Sequence, residues 1–453
     1  MKDWRIHHDS DSLATRATAR PLMGTAANQL LQSRKDASDL PRRMGIYLFA
    51  VIAPFIALWL AVFKPRDPAS RNVVWIFCIS YGSLFFIAPW STSDSVRYAA
   101  RLREMHSDDF GFRDLRQLFF AEGSRLQDLY EPLLTYLVSM FTDQYWLLFA
   151  AYAFVFGYFL SRNIWFLVDR APKKVLLSIV LLIVAFAFAR NLGSGINGVR
   201  MWTALHIFLF GLFHYFAFGQ KRYIGLIALT PLVHFSFWFA VVAFVLSLAA
   251  KRLQIAVFVF FLISFGAAYI DIATVRNLMG FIPLPLEDRA GSYLRGGELV
   301  MEGLAVRGQR IWFLELNRQL LEAFSIIAAS WLMWRKGAIS SPLVRGLLVF
   351  GMLFYGLINL VAYIPSMGRF VNLAQMAILA SVVLFLSDLR VAKPTDRFVS
   401  LGLSLLWVIN TALAIRFMAG FVSVWILAGN IFMAPFITAY MPLYDALMRL
   451  LGR

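Results

Sequence analysis

The sequence predicts an all-α polytopic membrane helix bundle of about 12–13 spans. Of its 453 residues, 60% are hydrophobic and only 15% are charged, whereas soluble domains average nearer half and a quarter. Apolar runs of roughly 18 or more residues, the length that a helix needs to cross a bilayer, recur from Met44 to Tyr440. No run alternates apolar and polar residues as the strands of a membrane β-barrel do.

The apolar runs define one transmembrane domain, residues 44–440, between a polar N-terminal tail, 1–43, and a short C-terminal tail, 441–453. Two long polar stretches, 91–142 and 271–310, are the predicted external loops. The predicted spans are about 44–63, 72–90, 143–162, 174–189, 201–218, 222–234, 236–250, 252–270, 311–334, 344–364, 370–387, 398–415 and 419–440.

The charge distribution indicates how the bundle is oriented. A net charge of +17 would suggest a nucleic-acid partner in a soluble protein, but here much of the excess lies in short corners between apolar runs, so no nucleic acid is predicted. Loops rich in lysine and arginine stay in the cytoplasm. The predicted cytoplasmic corners are Asp169–Lys174, Gly219–Arg222, Lys251–Arg252, Arg335–Lys336 and Leu389–Arg397.

Residues 222–250 are predicted to form a short helical hairpin. Basic corners flank both ends, which requires an even number of crossings. Each arm is then only about 20 Å long, against a hydrocarbon core of roughly 30 Å. The tip, Pro231–Ser236, is therefore expected below the outer surface, in a cavity of the bundle or in a thinned bilayer, and it contains His234.

Because successive spans cross in alternating directions from the basic cytoplasmic corners, the two long loops 91–142 and 271–310 are predicted to lie outside the cytoplasm. The apolar segment Glu131–Phe141 in the first loop is too short to span and predicts an interfacial or re-entrant helix. The basic tail 1–43 conflicts with this topology. Either the tail is translocated, or the predicted span 44–63 does not fully cross.

Arginines at the outer ends of the spans are candidate anion-binding groups. Arg200 either snorkels to the interface or clamps a phosphate with its guanidinium fork. Arg190 ends the preceding span, and the loop between the two arginines has three glycines that let backbone N–H groups approach an anion. Arg369 and Arg97 lie on the same predicted side. If all four arginines converge, they form one outward-facing site suited to a pyrophosphate.

Two groups could supply a general base. Glu315, Arg318 and Glu322 fall at i, i+3 and i+7 and share one helix face. They form either a structural ion pair or the lining of a wet cavity, with Glu315 as base and Arg318 as a substrate-binding cation. His234 is either a packed core residue or a base whose imidazole titrates near neutral pH.

No metal or other cofactor is predicted. The one cysteine, Cys78, lies within an apolar run, which excludes a disulfide framework and a cysteine-based metal site. No spacing of His, Asp and Glu is typical of a metal site, and neither a serine nucleophile elbow nor a Walker motif is present.

Several short motifs resemble the EpsG/Wzy-type polysaccharide polymerases. They are the N-x-x-R-x-x-x-A pattern of Asn197–Ala204, the corner Lys221–Arg222, the H-F-S of His234–Ser236, the D-S-V-R-Y of Asp94–Tyr98 and the later Arg369–Phe370. The resemblance covers roughly residues 44–390. The chain departs from the family pattern at Met201, where glutamine is common, and in its long N-terminal tail.

The resemblance implies a GT-C-like glycosyltransferase of the bacterial inner membrane. Such an enzyme joins oligosaccharide repeat units carried on undecaprenyl pyrophosphate at the periplasmic face, without a metal. It implies a lipid-linked oligosaccharide and membrane lipid as partners, together with a flippase and a chain-length regulator of the same pathway. In that reaction the arginines neutralise the leaving pyrophosphate. His234 or Glu315 is the expected base, with Asp94 in reserve, and Tyr98 either stacks on a sugar ring or anchors its segment at the membrane interface.

Two other functions remain open on the sequence. One is a transferase that uses a polyprenyl-monophosphate sugar, with Asp94 as its base. The other is a flippase or transporter for a lipid-linked glycan. A flippase needs a polar path through the bilayer, whereas the basic residues here lie on loops and at outer helix ends.

Overall fold

The regular secondary structure of the described residues is all helical, with no β-strand beyond one isolated bridge between Ser423 and Pro442. The computed structural model describes residues 39–87, 94–107, 110–120, 128–172, 177–188, 195–266, 312–361, 367–388, 394–419, 422–437 and 441–452. The external loop 271–310 and most of the tail 1–43 lie outside these ranges. The predicted all-α membrane bundle is thereby confirmed at the level of its helices.

Helices of the first half are α1 (39–52), α2 (Pro54–Phe63), α3 (Ser70–Ser83), α4 (Asp94–Ser107), α5 (Phe112–Phe120), α6 (Tyr130–Ser139), α7 (Tyr145–Val168), α8 (Leu177–Phe188) and α9 (Val199–Phe218). Those of the second half are α10 (Arg222–Ala228), α11 (Thr230–Val233), α12 (Trp238–Ala249), α13 (Gln254–Ser264), α14 (Trp312–Met333), α15 (Lys336–Ser340), α16 (Pro342–Leu360), α17 (Val371–Ser387), α18 (Pro394–Ala419), α19 (Trp425–Ala428) and α20 (Leu443–Leu450).

Six described helices are long and apolar enough to cross a membrane. They are Tyr145–Val168, Val199–Phe218, Phe235–Arg252, Pro342–Leu360, Met367–Ser387 and Thr395–Arg416. Each coincides with a predicted span. Among the described residues, the other predicted spans are not matched by helices of that kind, so the structure supports a multi-pass bundle with six candidate crossings and leaves the predicted number of 12–13 a prediction. Four further apolar helices have only 10–17 residues.

The predicted span 44–63 is wrong as a single crossing. The backbone leaves the helical region at Ala53 (φ −129°, ψ 66°), because the ring of Pro54 disfavours a helical residue before it. Arg42 pairs with Asp67, which lies in the turn before α3. Residues 39–63 therefore begin and end on one side, and of the two alternatives for the N-terminus the structure has the span that does not fully cross.

The predicted last span, 419–440, is also wrong in its described part, 422–437. The amide oxygen of Asn430 accepts bonds from the backbone N–H groups of Phe432 (3.0 Å) and Met433 (3.2 Å) and closes a turn. Pro435 lacks the N–H that a continuous helix needs here. The segment forms only the short helix α19 and one 3-10 turn, Ala434–Phe436.

The hairpin predicted for 222–250 is confirmed by its contacts with α9. The ring of Tyr223 in the first arm lies 4.9 Å from that of His214, and the ring of Phe244 in the second arm lies 5.5 Å from that of Tyr215. Both contacts fall towards the C-terminal end of α9. The tip at His234 lies towards its other end, where the first arm stops and the second begins.

The basic corners gather at one end of the bundle. Arg66 donates to the carbonyl oxygen of Pro172 (2.6 Å), and Arg170 lies over the ring of Phe218 (5.8 Å). Arg335 reaches Thr395 at the start of α18 (3.0 Å). We call this the basic end and the opposite end, where α9 begins, the Arg200 end.

The core is centred on α17. Every residue from Asn372 to Leu386 is buried, because α9, α14, α16 and α8 surround this helix. A helix that is apolar on all sides is typical of the middle of a membrane bundle. Its first turn at the Arg200 end, Met367–Phe370, brings Phe370 against Phe237 of the hairpin tip (5.2 Å between ring centroids).

Close packing between α3 and α7 gives a first prediction. A Cβ added at Gly82 would lie 2.4 Å from the carbonyl oxygen of Phe149 and 2.5 Å from the Cβ of Ala153. Gly82→Ala should therefore lower the free energy of unfolding by about 1–3 kcal/mol. Gly402→Ala is the control, since its Cβ meets nothing within 4 Å. Thermal unfolding of the detergent-purified variants measures both, and equal midpoints would contradict the prediction.

Candidate active site

One buried carboxylate joins the groups at the Arg200 end. Asp128 lies just before α6, and its side chain is only 7% exposed. Its Oδ2 accepts a bond from Nη1 of Arg200 (2.7 Å) and lies 3.3 Å from Nδ1 of His234. Its Oδ1 accepts from the backbone N–H of Phe235 (2.6 Å). We call Asp128, Arg200, His234 and Tyr98 the Asp128 cluster.

Three separate parts of the chain position these side chains. Arg200 is the second residue of α9, so its side chain is held at the end of a long buried helix. His234 has extended backbone angles (φ −149°, ψ 111°) between α11 and the 3-10 turn Phe235–Phe237. The N–H of Leu129 donates to the carbonyl of Leu232 (2.7 Å), which ties the Asp128 segment to the hairpin tip.

Tyr98 of α4 completes the cluster by a hydrogen bond with Arg200. Its ring is buried, and its hydroxyl accepts a bond from Nε of Arg200 (3.3 Å). Burial raises the pKa of this phenol, although the charge of Arg200 acts in the opposite direction. The hydroxyl therefore stays protonated at neutral pH. The buried ring places its hydroxyl where it orients Arg200, and the predicted stacking of Tyr98 on a sugar stays a prediction.

A second buried carboxylate holds α4 in place. Glu131 is 1% exposed and forms an ion pair with Arg101 of α4. It also accepts a bond from the Thr135 hydroxyl (3.2 Å), which in turn lies 2.7 Å from the hydroxyl of Tyr152. Because this network joins α4, α6 and α7, it fixes the position of α4, and with it that of Tyr98, relative to the start of α9. The predicted short helix at Glu131–Phe141 is confirmed as α6.

The hydrogen bonds define the charge states of the cluster. Burial alone would raise the pKa of the Asp128 carboxyl, but the bonds from His234 and Phe235 and the charge of Arg200 together hold it below its ordinary value. Asp128 is therefore ionised at neutral pH. An ionised carboxylate can only accept, so Nδ1 of His234 carries a proton and the neutral ring has its lone pair on Nε2.

This arrangement can do two things chemically. The Nε2 lone pair of His234, whose side chain is 25% exposed, can accept a proton from a bound hydroxyl. Arg200 uses Nη1 for Asp128 and Nε for Tyr98, which leaves its other N–H groups as donors for an oxyanion. A base and an anion-binding group thus share one buried carboxylate.

Arg369 lies at the same end as the cluster. It is exposed on the turn Met367–Phe370, and the ring of Phe370 packs on Phe237, three residues after His234. The predicted placement of Arg200 and Arg369 at one end is therefore confirmed. The predicted site residue Arg190 lies outside the described residues.

Asp94 and Arg97 belong to the same region but bind each other. They form an ion pair on the first turn of α4, in which the Arg97 side chain is 69% exposed. The backbone N–H of the next residue, Ser95, donates to Oδ1 of Asn197 (3.2 Å), which lies just before α9. Asn197 of the family-like motif thus anchors α4 to α9, and the Asp94 carboxylate has no described contact with Asp128, Arg200 or His234.

The charged face predicted on α14 is confirmed as a triad of ion pairs. Arg318 donates through Nε to Glu315 (3.1 Å) and through Nη1 to Glu322 (2.6 Å). Among the described residues, no contact joins this triad to the Asp128 cluster. The prediction that Glu315 supplies the base and Arg318 binds the same substrate is therefore not supported, since helical spacing fixes a shared face but not what the face meets.

Sequence reasoning missed Asp128, which is the centre of the site. It lies in the mixed-charge stretch RLQDLYE, where nothing in the spacing distinguishes it from solvated acids. One signal was available, because Asp128 lies three residues before the apolar segment Glu131–Phe141, which begins with a second acid and is too short to span.

Comparisons of the chain with protein families, with characterised proteins and with solved structures find no match. Among the described residues, no three His, Cys, Asp or Glu side chains form a group that could hold a metal ion.

Proposed function

We propose that the protein is a polymerase of the bacterial inner membrane, which joins undecaprenyl-pyrophosphate-linked oligosaccharide repeat units into an exopolysaccharide or O-antigen. The observation that carries the proposal is the Asp128 cluster, in which His234 and Arg200 bind the same carboxylate oxygen. The EpsG/Wzy-like motifs contribute both residues. The GT-C-like architecture is part of the proposal.

The chemistry needs one proton acceptor and one anion-binding group. Nε2 of His234 takes the proton from a sugar hydroxyl of the incoming repeat unit, and that oxygen attacks the anomeric carbon of the growing chain. The bond from this carbon to the pyrophosphate oxygen breaks, and undecaprenyl pyrophosphate leaves. Arg200, with Arg369 at the rim, stabilises the negative charge on the departing pyrophosphate. Solvent then removes the proton from His234.

Asp128 holds both groups ready without substrate. Its charge offsets that of Arg200, and its oxygen fixes the ring of His234 with Nε2 outward. A carboxylate that orients a histidine in this way selects the reactive tautomer. The two acids that competed for the base role in the sequence, Asp94 and Glu315, are each paired with an arginine elsewhere.

The charge asymmetry supports a periplasmic site. The basic corners lie at the end opposite to the Asp128 cluster, and basic loops remain in the cytoplasm. The cluster then faces the periplasm, where a flippase supplies the lipid-linked units and a chain-length regulator acts on the product. Both partners belong to the proposal.

The function is tested with the purified full-length protein in detergent. Incubation with lipid-linked repeat units should give a ladder of oligomers one repeat apart by mass spectrometry. Transfer of single sugars from a polyprenyl-monophosphate donor would replace the proposal by a monosaccharide transferase. Absence of any lengthening, with transport of the lipid across vesicles, would replace it by a flippase.

Asp128→Asn should lower polymer synthesis by about 10²–10⁴-fold, up to the loss that follows when the carboxylate orienting a catalytic histidine is replaced by an amide. Asparagine keeps the size of the side chain but can present its N–H₂ group to His234 and Arg200. The assay is oligomer formation by the purified variant. Asp445→Asn on the exposed helix α20 is the control, and full activity of Asp128→Asn would remove Asp128 from the site.

The lowered pKa of Asp128 predicts that the stability difference between the wild type and Asp128→Asn depends on pH. Because folding lowers the pKa of Asp128 from its ordinary value of 3.8, the ionised carboxylate stabilises the fold above that pH. This contribution is lost as the pH falls through the lowered native pKa. The unfolding temperature of the wild type should exceed that of Asp128→Asn at neutral pH, and the gap should narrow below about pH 4. A gap that widens on acidification would contradict this sign.

A further inference from the structure

We propose that an anionic phospholipid of the leaflet at the basic end binds to Arg71 and Arg162, with its acyl chain along the aromatic residues of α3 and α7. This phosphate site is separate from the Asp128 cluster and lies near the opposite end of α7. It does not depend on the proposed polymerase function.

Arg162 is held in a fixed position on α7. Its Nη2 donates to Oδ1 of Asn72 (2.8 Å) and its Nη1 to Oγ of Ser161 (2.8 Å). Its guanidinium carbon lies 4.1 Å from the ring centroid of Tyr158 and 4.9 Å from that of Trp75. These neutral partners restrict the guanidinium to one position without offsetting its charge. Arg162 is therefore preorganised towards a point at the edge of the bundle.

A second arginine adds to this charge without a described acid to offset it. Arg71 on α3 is close enough for its charge to repel that of Arg162. Neither arginine forms an ion pair among the described residues, and the nearby Asp67 is engaged by Arg42. Two neighbouring arginines at a surface that faces the membrane favour the binding of an anion, and a phosphate matches two guanidinium forks.

Aromatic residues continue from both arginines towards the membrane centre. Trp75 lies four residues after Arg71 on α3, while Tyr158 and Phe154 lie four and eight residues before Arg162 on the antiparallel α7. The Trp75 ring contacts Phe154 (4.8 Å) and Tyr158 (5.4 Å). Phe154 and Tyr158 are 50% and 37% exposed, so they face the bilayer. Eight residues of helix measure about 12 Å, close to the depth of one leaflet.

The order of groups on this surface is that of a phospholipid. Cationic side chains lie at the basic end and apolar rings lie below them. The hydroxyl of Tyr47 on α1 accepts from Nδ2 of Asn72 (3.0 Å), which leaves its own proton for a phosphate oxygen. The short length of the ring surface suits an acyl chain within one leaflet. By the positive-inside rule this is the cytoplasmic leaflet, where anionic lipids are concentrated.

Native mass spectrometry of the delipidated full-length protein tests the site. Titration with phosphatidylglycerol should give one tightly bound lipid for the wild type. In the double variant Arg71→Gln and Arg162→Gln, its affinity should fall at least about tenfold. Arg222→Gln is the matched control, because Arg222 also lies at the basic end and over one ring, that of Tyr223 (4.9 Å). This control should bind the lipid as the wild type does.

Three results would overturn the proposal. They are unchanged affinity in the double variant, an equal loss in Arg222→Gln, and tighter binding of a polyprenyl monophosphate than of phosphatidylglycerol. The single variant Arg71→Gln separates a loss of lipid binding from a folding defect, because no described hydrogen bond involves the Arg71 side chain. It should weaken the lipid about fivefold while the unfolding temperature in lipid-free detergent stays the same.

Discussion

Replacing His234 by glutamine should lower polymer synthesis by about 10²–10⁴-fold, the range expected when a general base is removed. Glutamine keeps an N–H group that can reach the Asp128 carboxylate, but it cannot accept a proton at neutral pH. Single repeat units should therefore accumulate on the lipid carrier while substrate binding persists. Mass spectrometry of the undecaprenyl-linked glycans extracted from cells measures the chain length.

A second histidine provides the matched control. His214 lies in the same helix as Arg200 but towards the basic end, where its Nδ1 contacts the carbonyl oxygen of Phe210 (2.8 Å). His214→Gln changes a histidine of the bundle without touching the Asp128 cluster, so polymer length should remain that of the wild type. Long polymer from His234→Gln would reassign His234 to packing at the hairpin tip.

Changing Arg200 to alanine should lower polymer synthesis by about 10²–10³-fold, the range expected when a group that stabilises developing charge is removed. Alanine removes the guanidinium and leaves Asp128, only 7% exposed, without the arginine that forms an ion pair with it. Arg200→Lys retains the charge but not the fork, so it should recover stability more than activity. Oligomer formation and the unfolding temperature of the purified variants separate these two effects.

An exposed arginine at the same end serves as the control for Arg200. Arg103 lies on the outer face of α4 and is not part of the cluster. Arg103→Ala should leave the oligomer ladder unchanged. If Arg200→Ala polymerises at the wild-type rate, then Arg200 is a snorkelling residue and the pyrophosphate role is lost. Repeat units shorter than one full oligosaccharide in the cells would instead indicate an earlier transferase.

The placement of His234 was predictable because it follows from charge and length alone. The basic corners at residues 219–222 and 251–252 require the chain to return to the side from which it started. A turn in the middle of that stretch then brings His234 towards the end of the bundle where Arg200 begins α9. The same logic placed Arg369 at this end, and the contact between Phe237 and Phe370 confirms it.

Other features depended on contacts between distant segments. Helical spacing showed that Glu315, Arg318 and Glu322 share a face, and their ion pairs confirm it. Spacing could not show that this face has no described contact with Asp128. Apolar runs alone also predicted single spans at 44–63 and 419–440, because hydrophobicity does not reveal that Pro54 or Asn430 interrupts the helix. Hydropathy averages over a window, whereas a helix is ended by single residues.

The sequence by itself determined that this is a multi-spanning helical membrane protein, which end of the bundle is basic, and that His234 and Arg200 lie at the other end. These properties follow from hydrophobicity, loop charge and helix length, which are local quantities. Only the tertiary structure decided that Asp128 joins the two residues. A segment of no distinctive pattern becomes central when α6 packs beside the hairpin tip, because a carboxylate buried there is stabilised by the partly buried Arg200 and His234 on either side of it.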